Sequence, residues 1–123
     1  MIDFLKSILS AKSEEKNEEI INNSKNNDKE KEAKIVRKKA IFTGRVQGVG
    51  FRFEAYSTAA NMGLTGYVIN QEDSSVLLEV QGDLDQVLAF IDHLKKLDRA
   101  SVDRVEIQDL PVKDFETAFK ITC

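Results

Sequence analysis

Residues 40–63, AIFTGRVQGVGFRFEAYSTAANMG, change hydrophobic period partway along, and the rest of the chain is read from that change. Ala40, Phe42, Gly44 and Val46 alternate with polar or exposed-type residues, the period of two expected of a half-buried first strand. From Phe51 the apolar positions move to helical spacing. Phe51, Ala55, Ala59 and Met62 fall on one stripe, which predicts a helix over 51–61. Gly63 suits the left-handed residue that closes such a helix, with Leu64 packing back on it. The stretch is therefore a strand, a glycine-rich connection and a helix.

Working outward, Thr65 to Asn70 reads as a second strand and Gln71 to Ser75 as a polar turn. Val76, Leu78 and Val80 alternate along a third strand, ended by Gly82. A second helix is expected over 84–97, with Leu84, Val87, Leu88, Ile91 and Leu94 on one face and Asp83 capping its start. Val102 to Leu110 gives a fourth strand, and Phe115 to Thr122 a short extra strand at the C-terminus. The order βαββαβ places both helices on one face of an antiparallel sheet, an α+β fold of the ferredoxin-like kind. That fold hosts many unrelated activities, so it decides nothing about chemistry.

The chain has 123 residues, room for one domain, with 41% hydrophobic and 32% charged residues. Its composition shifts near residue 35. Residues 13–34 are dominated by Glu, Lys, Asn and Ser, and so bury too little apolar surface to offset their ordering entropy. Residues 1–34 are expected to be a charged, flexible tail and residues 35–123 the folded domain. Ile2, Phe4, Leu5, Ile8 and Leu9 would suit a short amphipathic turn, but a frayed end with no role is the preferred reading.

No run approaches the ~18 apolar residues of a membrane span, and no secretory leader is evident. Cys123 is the single cysteine and His93 the single histidine. No metal-ligand spacing exists, so neither metal nor cofactor is expected. These features predict a cytoplasmic protein, and a monomer. From Lys38 onward there are 10 Lys/Arg and 13 Asp/Glu, a net of −3. The third strand carries no aromatic residue, so a nucleic-acid partner is not expected.

The chemistry concentrates in Gly44-Arg45-Val46-Gln47-Gly48-Val49-Gly50-Phe51-Arg52. Glycines at these positions let successive amides turn inward as a concave anion nest, and the helix start adds unpaired N–H groups. Arg52 lies where a guanidinium can reach back to an anion; Arg45, at the strand end, is expected to face solvent. There is no GxxxxGK[ST], so this is not a Walker A loop. On local physics alone anion binding is the preferred reading, and a simple tight strand-to-helix connection the alternative. Asn70, taken alone, reads as a turn residue leaving a strand.

The loop resembles the signature of the acylphosphatase family. So does the block Ala59-Ala60-Asn61-Met62-Gly63-Leu64-Thr65-Gly66-Tyr67-Val68-Ile69-Asn70. Val80-Gln81-Gly82 and Phe119-Lys120-Ile121 extend the likeness, which covers about residues 38–123. It implies a ferredoxin-like fold and metal-independent hydrolysis of acyl phosphates. It also implies that Arg52 and Asn70 are the catalytic pair. Val46, Gln47, Gly48, Val49, Gly50, Phe51 and Arg52 would form the phosphate site. The implied partners are a small-molecule acyl phosphate and inorganic phosphate or a similar anion in the loop. Three positions depart from the pattern. Ile69 stands where a basic residue is frequent, Ser74 where glycine is, and Tyr67 where tryptophan is. They bear on turn geometry and efficiency and not on the type of reaction. Acylphosphatase-like domains also occur inside larger enzymes such as hydrogenase-maturation carbamoyltransferases, so a binding module is the rival reading.

Overall fold

The computed structural model describes residues 33–122. Nearly all of the expected tail, its amphipathic start and Cys123 lie outside these residues. The elements are β1 (Ile35–Arg45), α1 (Phe51–Met62), β2 (Thr65–Asn70), β3 (Val76–Asp83), α2 (Leu84–Lys95), β4 (Ser101–Leu110) and β5 (Phe119–Thr122). They form one five-stranded sheet in the order β4-β1-β3-β2-β5. The βαββαβ order and the ferredoxin-like sheet agree with the sequence reading.

Strands β1 to β4 pair antiparallel throughout. The added strand does not: β5 pairs with β2 in parallel, Gly66 opposite Phe119 and Ile69 opposite Thr122. The expectation of an antiparallel sheet thus holds for the core and fails at its edge. The reason is positional. β4 finishes at the end of the sheet where β1 and β2 begin, since Leu110 pairs with Arg37. A chain crossing there starts β5 in β2's direction. The crossing also consumes residues that were expected in the strand. Phe115 has φ 68° and is 97% exposed, so β5 begins only at Phe119.

Helices α1 and α2 cover the face made by Ala40, Phe42, Val68, Leu78 and Val80, all buried. α1 contributes Phe51, Ala55 and Ala59, as its spacing predicts, and ends on Gly63 at φ 70°. Asp83 both ends β3 and caps α2, its Oδ1 accepting from Asp85 N–H at 3.0 Å. The buried face of α2 is Val87, Phe90, Ile91 and Leu94, while Leu88 is 45% exposed. Phe90 takes the place expected of Leu88 because its ring meets Phe119 edge-on at 5.8 Å. That partner arrives only with β5. Phe42 and Phe51 likewise pack at 5.0 Å, joining β1 to the start of α1. Each such side chain contributes about 1.5–3 kcal/mol by leaving water.

The other face of the sheet carries Arg37, Tyr67, Glu79 and Gln81, which are cross-strand neighbours. The crossing segment 111–118 lies against them. Arg37, only 1% exposed, donates to both oxygens of Glu116 at 2.8 and 3.2 Å, to Glu79 Oε1 at 3.0 Å and to Gln81 Oε1 at 3.1 Å. Gln81 also exchanges hydrogen bonds with the Lys113 backbone, both at 2.9 Å. Burial opposes the charge on Arg37, but the hydrogen bonds to Glu116 and Glu79 outweigh it and raise its pKa. Burial likewise opposes the charge on Glu116, and its bond to Arg37 overcomes that and holds the carboxyl below the usual range. Buried charges of this kind persist only when fully paired.

Candidate active site

β1 ends at Arg45, one residue before the expected limit of the first strand. Gly44 sits at a register break between β1 and β4, at φ 129°. A Cβ there would lie 2.2 Å from the Ser101 carbonyl oxygen, so glycine is required by the close approach of β4. Of the loop's glycines, Gly44 therefore serves the sheet. Gly48 and Gly50 shape the loop itself, at φ 76° and 81°. Val46 anchors the loop by burial, and Arg45 faces solvent as expected.

Gly50 is the N-cap of α1 and supplies no side-chain cap. The first intrahelical bond runs from Glu54 N–H to the Gly50 carbonyl at 3.0 Å. The N–H groups of Phe51, Arg52 and Phe53 thus precede the helical ladder and are free to meet an anion. Glu54 would oppose an anion there, but its own partners occupy both oxygens. His93 Nε2 lies at 2.9 Å from Oε2, Arg99 Nη2 donates to Oε1 at 3.0 Å, and Thr58 donates to Oε2 at 3.3 Å. The bonds from His93 and Arg99 hold its pKa below the usual range. Arg99 also reaches the Val49 carbonyl, at 3.3 Å, bracing the loop from behind.

The loop, the start of α1, the end of β2 and β5 enclose a cleft of about 220 Å³. It is lined by Val46, Gly48, Gly50, Phe51, Arg52, Phe53, Asn70 and Ile121. Two distant candidates, Arg52 and Asn70, therefore share one cleft. Arg52 has no carboxylate partner among the described residues, and its Nη1 lies 3.4 Å from the Thr122 carbonyl. Asn70 Oδ1 is buried and accepts no hydrogen bond from any described residue. Buried acceptors are nearly always satisfied, so an orphan at a cleft is a place for water or a ligand hydroxyl.

Two of the loop residues use their side chains elsewhere. Val49 packs on the core. Gln47 donates to the carbonyls of Gln71 and Ser75, both at 2.9 Å, tying the loop to the β2–β3 turn. That turn carries the departure at Ser74, which adopts φ 78° despite its side chain. Ser75 compensates, donating to Asp73 Oδ1 from its N–H at 3.0 Å and its hydroxyl at 2.6 Å. These bonds hold Asp73 below its ordinary pKa. The turn thus holds a left-handed residue without glycine and is braced by side-chain bonding.

Sequence reasoning missed Phe53 and Ile121 as lining residues, and Gln47, Glu54 and Arg99 as supports. Only Phe53 had a usable signal, its place one residue beyond Arg52. A larger concavity of about 450 Å³ lies along α2, lined by Asp92, His93 and Lys96 among others. It is open to solvent, and three of its polar side chains are engaged with neighbours: Lys96 with Asp92 at 3.0 Å and His93 with Glu54. Among the described residues no cluster of His, Cys, Asp or Glu is placed to hold a metal ion, and no helix is long and apolar enough to cross a membrane.

The family model described as Acylphosphatase matches residues 38–121. An acylphosphatase of Clostridium beijerinckii is 42% identical over 88 residues, covering 71% of this chain and 98% of that protein. The crystal structure of an acylphosphatase from Bacillus subtilis superposes with a TM-score of 0.68 at 26% identity, over 72% of this chain and 99% of that one. Full-length HypF, solved in a phosphate- and nucleotide-bound form, matches with a TM-score of 0.69 at 29% identity; the match covers 77% of this chain but only 13% of HypF. A family match over most of the described residues, and a relative aligned almost from end to end, establish that the chain belongs to the acylphosphatase family, enzymes that hydrolyse acyl phosphates.

Proposed function

We propose that this chain hydrolyses carboxyl-phosphate anhydrides without a metal ion. Arg52 and the loop N–H groups hold the phosphoryl group, and Asn70 orients the attacking water. The observation that carries this reading is the buried, unpartnered Asn70 Oδ1 in the same cleft as Arg52.

The leaving group of R–CO–O–PO₃²⁻ is a stable carboxylate, so the protein need supply neither a strong nucleophile nor an acid. Water attacks phosphorus; the P–O bond to the acyl oxygen breaks, and its electron pair departs with RCOO⁻. The proton released by water passes to a phosphoryl oxygen, leaving H₂PO₄⁻. What remains for the protein is positioning and charge stabilisation. An amide cannot serve as a base near neutral pH. It can accept a hydrogen bond from water through Oδ1 and so fix the direction of attack. The donors around the phosphoryl oxygens are preorganised by the positive φ values of Gly48 and Gly50 and by the braces from Gln47 and Arg99.

Arg52→Ala is expected to lose both inorganic-phosphate binding and turnover. Asn70→Ala is expected to keep phosphate binding and lose turnover by on the order of 10²–10³. Phosphate affinity by calorimetry and hydrolysis of acetyl phosphate measure the two separately. Near-full activity in Asn70→Ala would remove its role, and activity abolished by a chelator and restored by a divalent ion would remove the metal-free mechanism. The similarity to HypF supports a second reading, a phosphate-binding module without turnover of its own. Affinity for phosphate with no hydrolysis of any acyl phosphate would favour it.

A further inference from the structure

We propose that Arg99 is a positioning residue for the phosphate site. It holds the Val49–Gly50 peptide with its N–H turned toward the cleft, and so sets affinity for the phosphoryl group. This rests on the phosphate-loop reading above and extends it to the segment that joins α2 to β4. A trans peptide points its C=O and N–H in opposite directions. Gly50 sits at φ 81° and, as a glycine, reaches negative φ about as readily, so its own backbone does not decide which group meets the cleft. Its N–H donates to no described backbone group. Arg99 Nε donates to the Val49 carbonyl at 3.3 Å, and the guanidinium lies against Gly50, with Nε 3.7 Å from where a Cβ would stand. Gly50 lines the cleft and Arg99 does not, so the carbonyl is drawn to the side away from the anion.

Arg99 is itself held in place. Its Nη2 donates to Glu54 Oε1 at 3.0 Å, and Glu54 Oε2 is held by His93 of α2 at 2.9 Å and by Thr58 at 3.3 Å. The backbone around Arg99 is a turn closed by the Ala100 N–H, which donates to the Leu97 carbonyl at 3.2 Å. The guanidinium is therefore fixed by α1 and by the end of α2 before any anion arrives. Without it the peptide is free to turn over and present the Val49 carbonyl oxygen to the phosphoryl oxygens, which repel it. Anion binding must then select the molecules whose N–H faces inward, and apparent affinity falls in proportion to their fraction. Bound substrate restores that orientation through its own phosphoryl oxygens, so the step at phosphorus is unchanged.

The test measures Kd for inorganic phosphate, and KM and kcat for acetyl phosphate, on the full chain. Arg99 is 56% exposed, so its replacement empties no core. Arg99→Ala is expected to raise Kd and KM together, by about five- to tenfold, with kcat within about twofold of the native value. Arg99→Gln sets an amide nitrogen where Nε stands, which keeps the donor and removes the charge. It is expected to recover at least half of the lost affinity. Equal losses in Arg99→Gln and Arg99→Ala would overturn the lock, because charge alone would then account for the effect. An unchanged Kd in Arg99→Ala, or a fall in kcat with Kd unchanged, would overturn it too. Native protein that neither binds phosphate nor hydrolyses acetyl phosphate would instead overturn the underlying phosphate-site reading.

Discussion

The 46–50 loop and the 111–118 crossing both connect elements, and they sit at opposite ends of β1. They treat charge in opposite ways. The loop exposes backbone N–H groups and brings in Arg52, which has no carboxylate partner among the described residues. The crossing brings in Glu116 and meets Arg37, whose guanidinium bonds to Glu116, Glu79 and Gln81. One arginine is left available and the other is consumed. Binding an anion requires donors kept unsatisfied and held still, whereas holding a strap to a sheet requires every donor to be used. Burial follows the same division: Arg37 is the most enclosed charged side chain described, and Arg52 lines a cleft.

Exchanging the two losses is the strongest way to break this contrast. Arg37→Ala leaves Glu79 and Glu116 without their cation and is expected to cost about 3 kcal/mol in urea unfolding, with kcat kept by the folded fraction. Arg52→Ala should do the reverse, losing on the order of 10²-fold or more in turnover while the unfolding midpoint moves by less than about 0.5 kcal/mol. If Arg52→Ala destabilised the fold as much as Arg37→Ala, the division would be wrong.

Gln47→Ala probes the middle ground, since Gln47 joins the loop to the turn that follows Asn70. A loss of about 1 kcal/mol in stability is expected, together with a severalfold fall in kcat at nearly constant phosphate affinity. Unchanged kcat would mean that the turn holds Asn70 unaided. At the crossing, Phe115 occupies a left-handed conformation while almost wholly exposed. Phe115→Asn should therefore raise stability, by up to about 1 kcal/mol, with no change in kcat. A destabilised Phe115→Asn would show that this ring has a partner.

The smallest effect is a pH dependence. The folded-state pKa of Glu116 is lowered, so its contribution is fully present above the ordinary glutamate value of about 4.3 and is lost as pH falls through the lowered one. Unfolding midpoints measured down through that window should fall more steeply for the native chain than for Glu116→Gln. Parallel curves would remove Glu116 as a pH-sensitive tie.

Local signals made the loop legible and left the crossing illegible. The change from alternating Ala40 and Phe42 to helically spaced Phe51, Ala55 and Ala59 is a short-range pattern, and so is the run of glycines between them. Both survive without knowledge of any distant partner. Arg37 gives no such signal. It lies among Lys34, Lys38 and Lys39 in the sequence and reads as one more solvated cation. Its burial depends on Glu116, 79 residues away. Phe90 was hidden for the same reason, because its partner Phe119 belongs to a strand whose start could not be placed from local propensity. The exchange of Leu88 for Phe90 on α2 follows from that.

The sequence by itself determined the order of strands and helices, the glycine-rich strand-to-helix connection and the family to which the chain belongs. Those depend on periodicity and on residue types that act through their own backbone. Only the tertiary structure decided that β5 runs parallel to β2, that Gly44 serves the sheet and not the cradle, and that Asn70 shares a cleft with Arg52. Each of these depends on where chain segments distant in sequence come to rest. Pairing and close approach between such segments are set by packing and by the need to satisfy buried polar groups, and no local pattern encodes them.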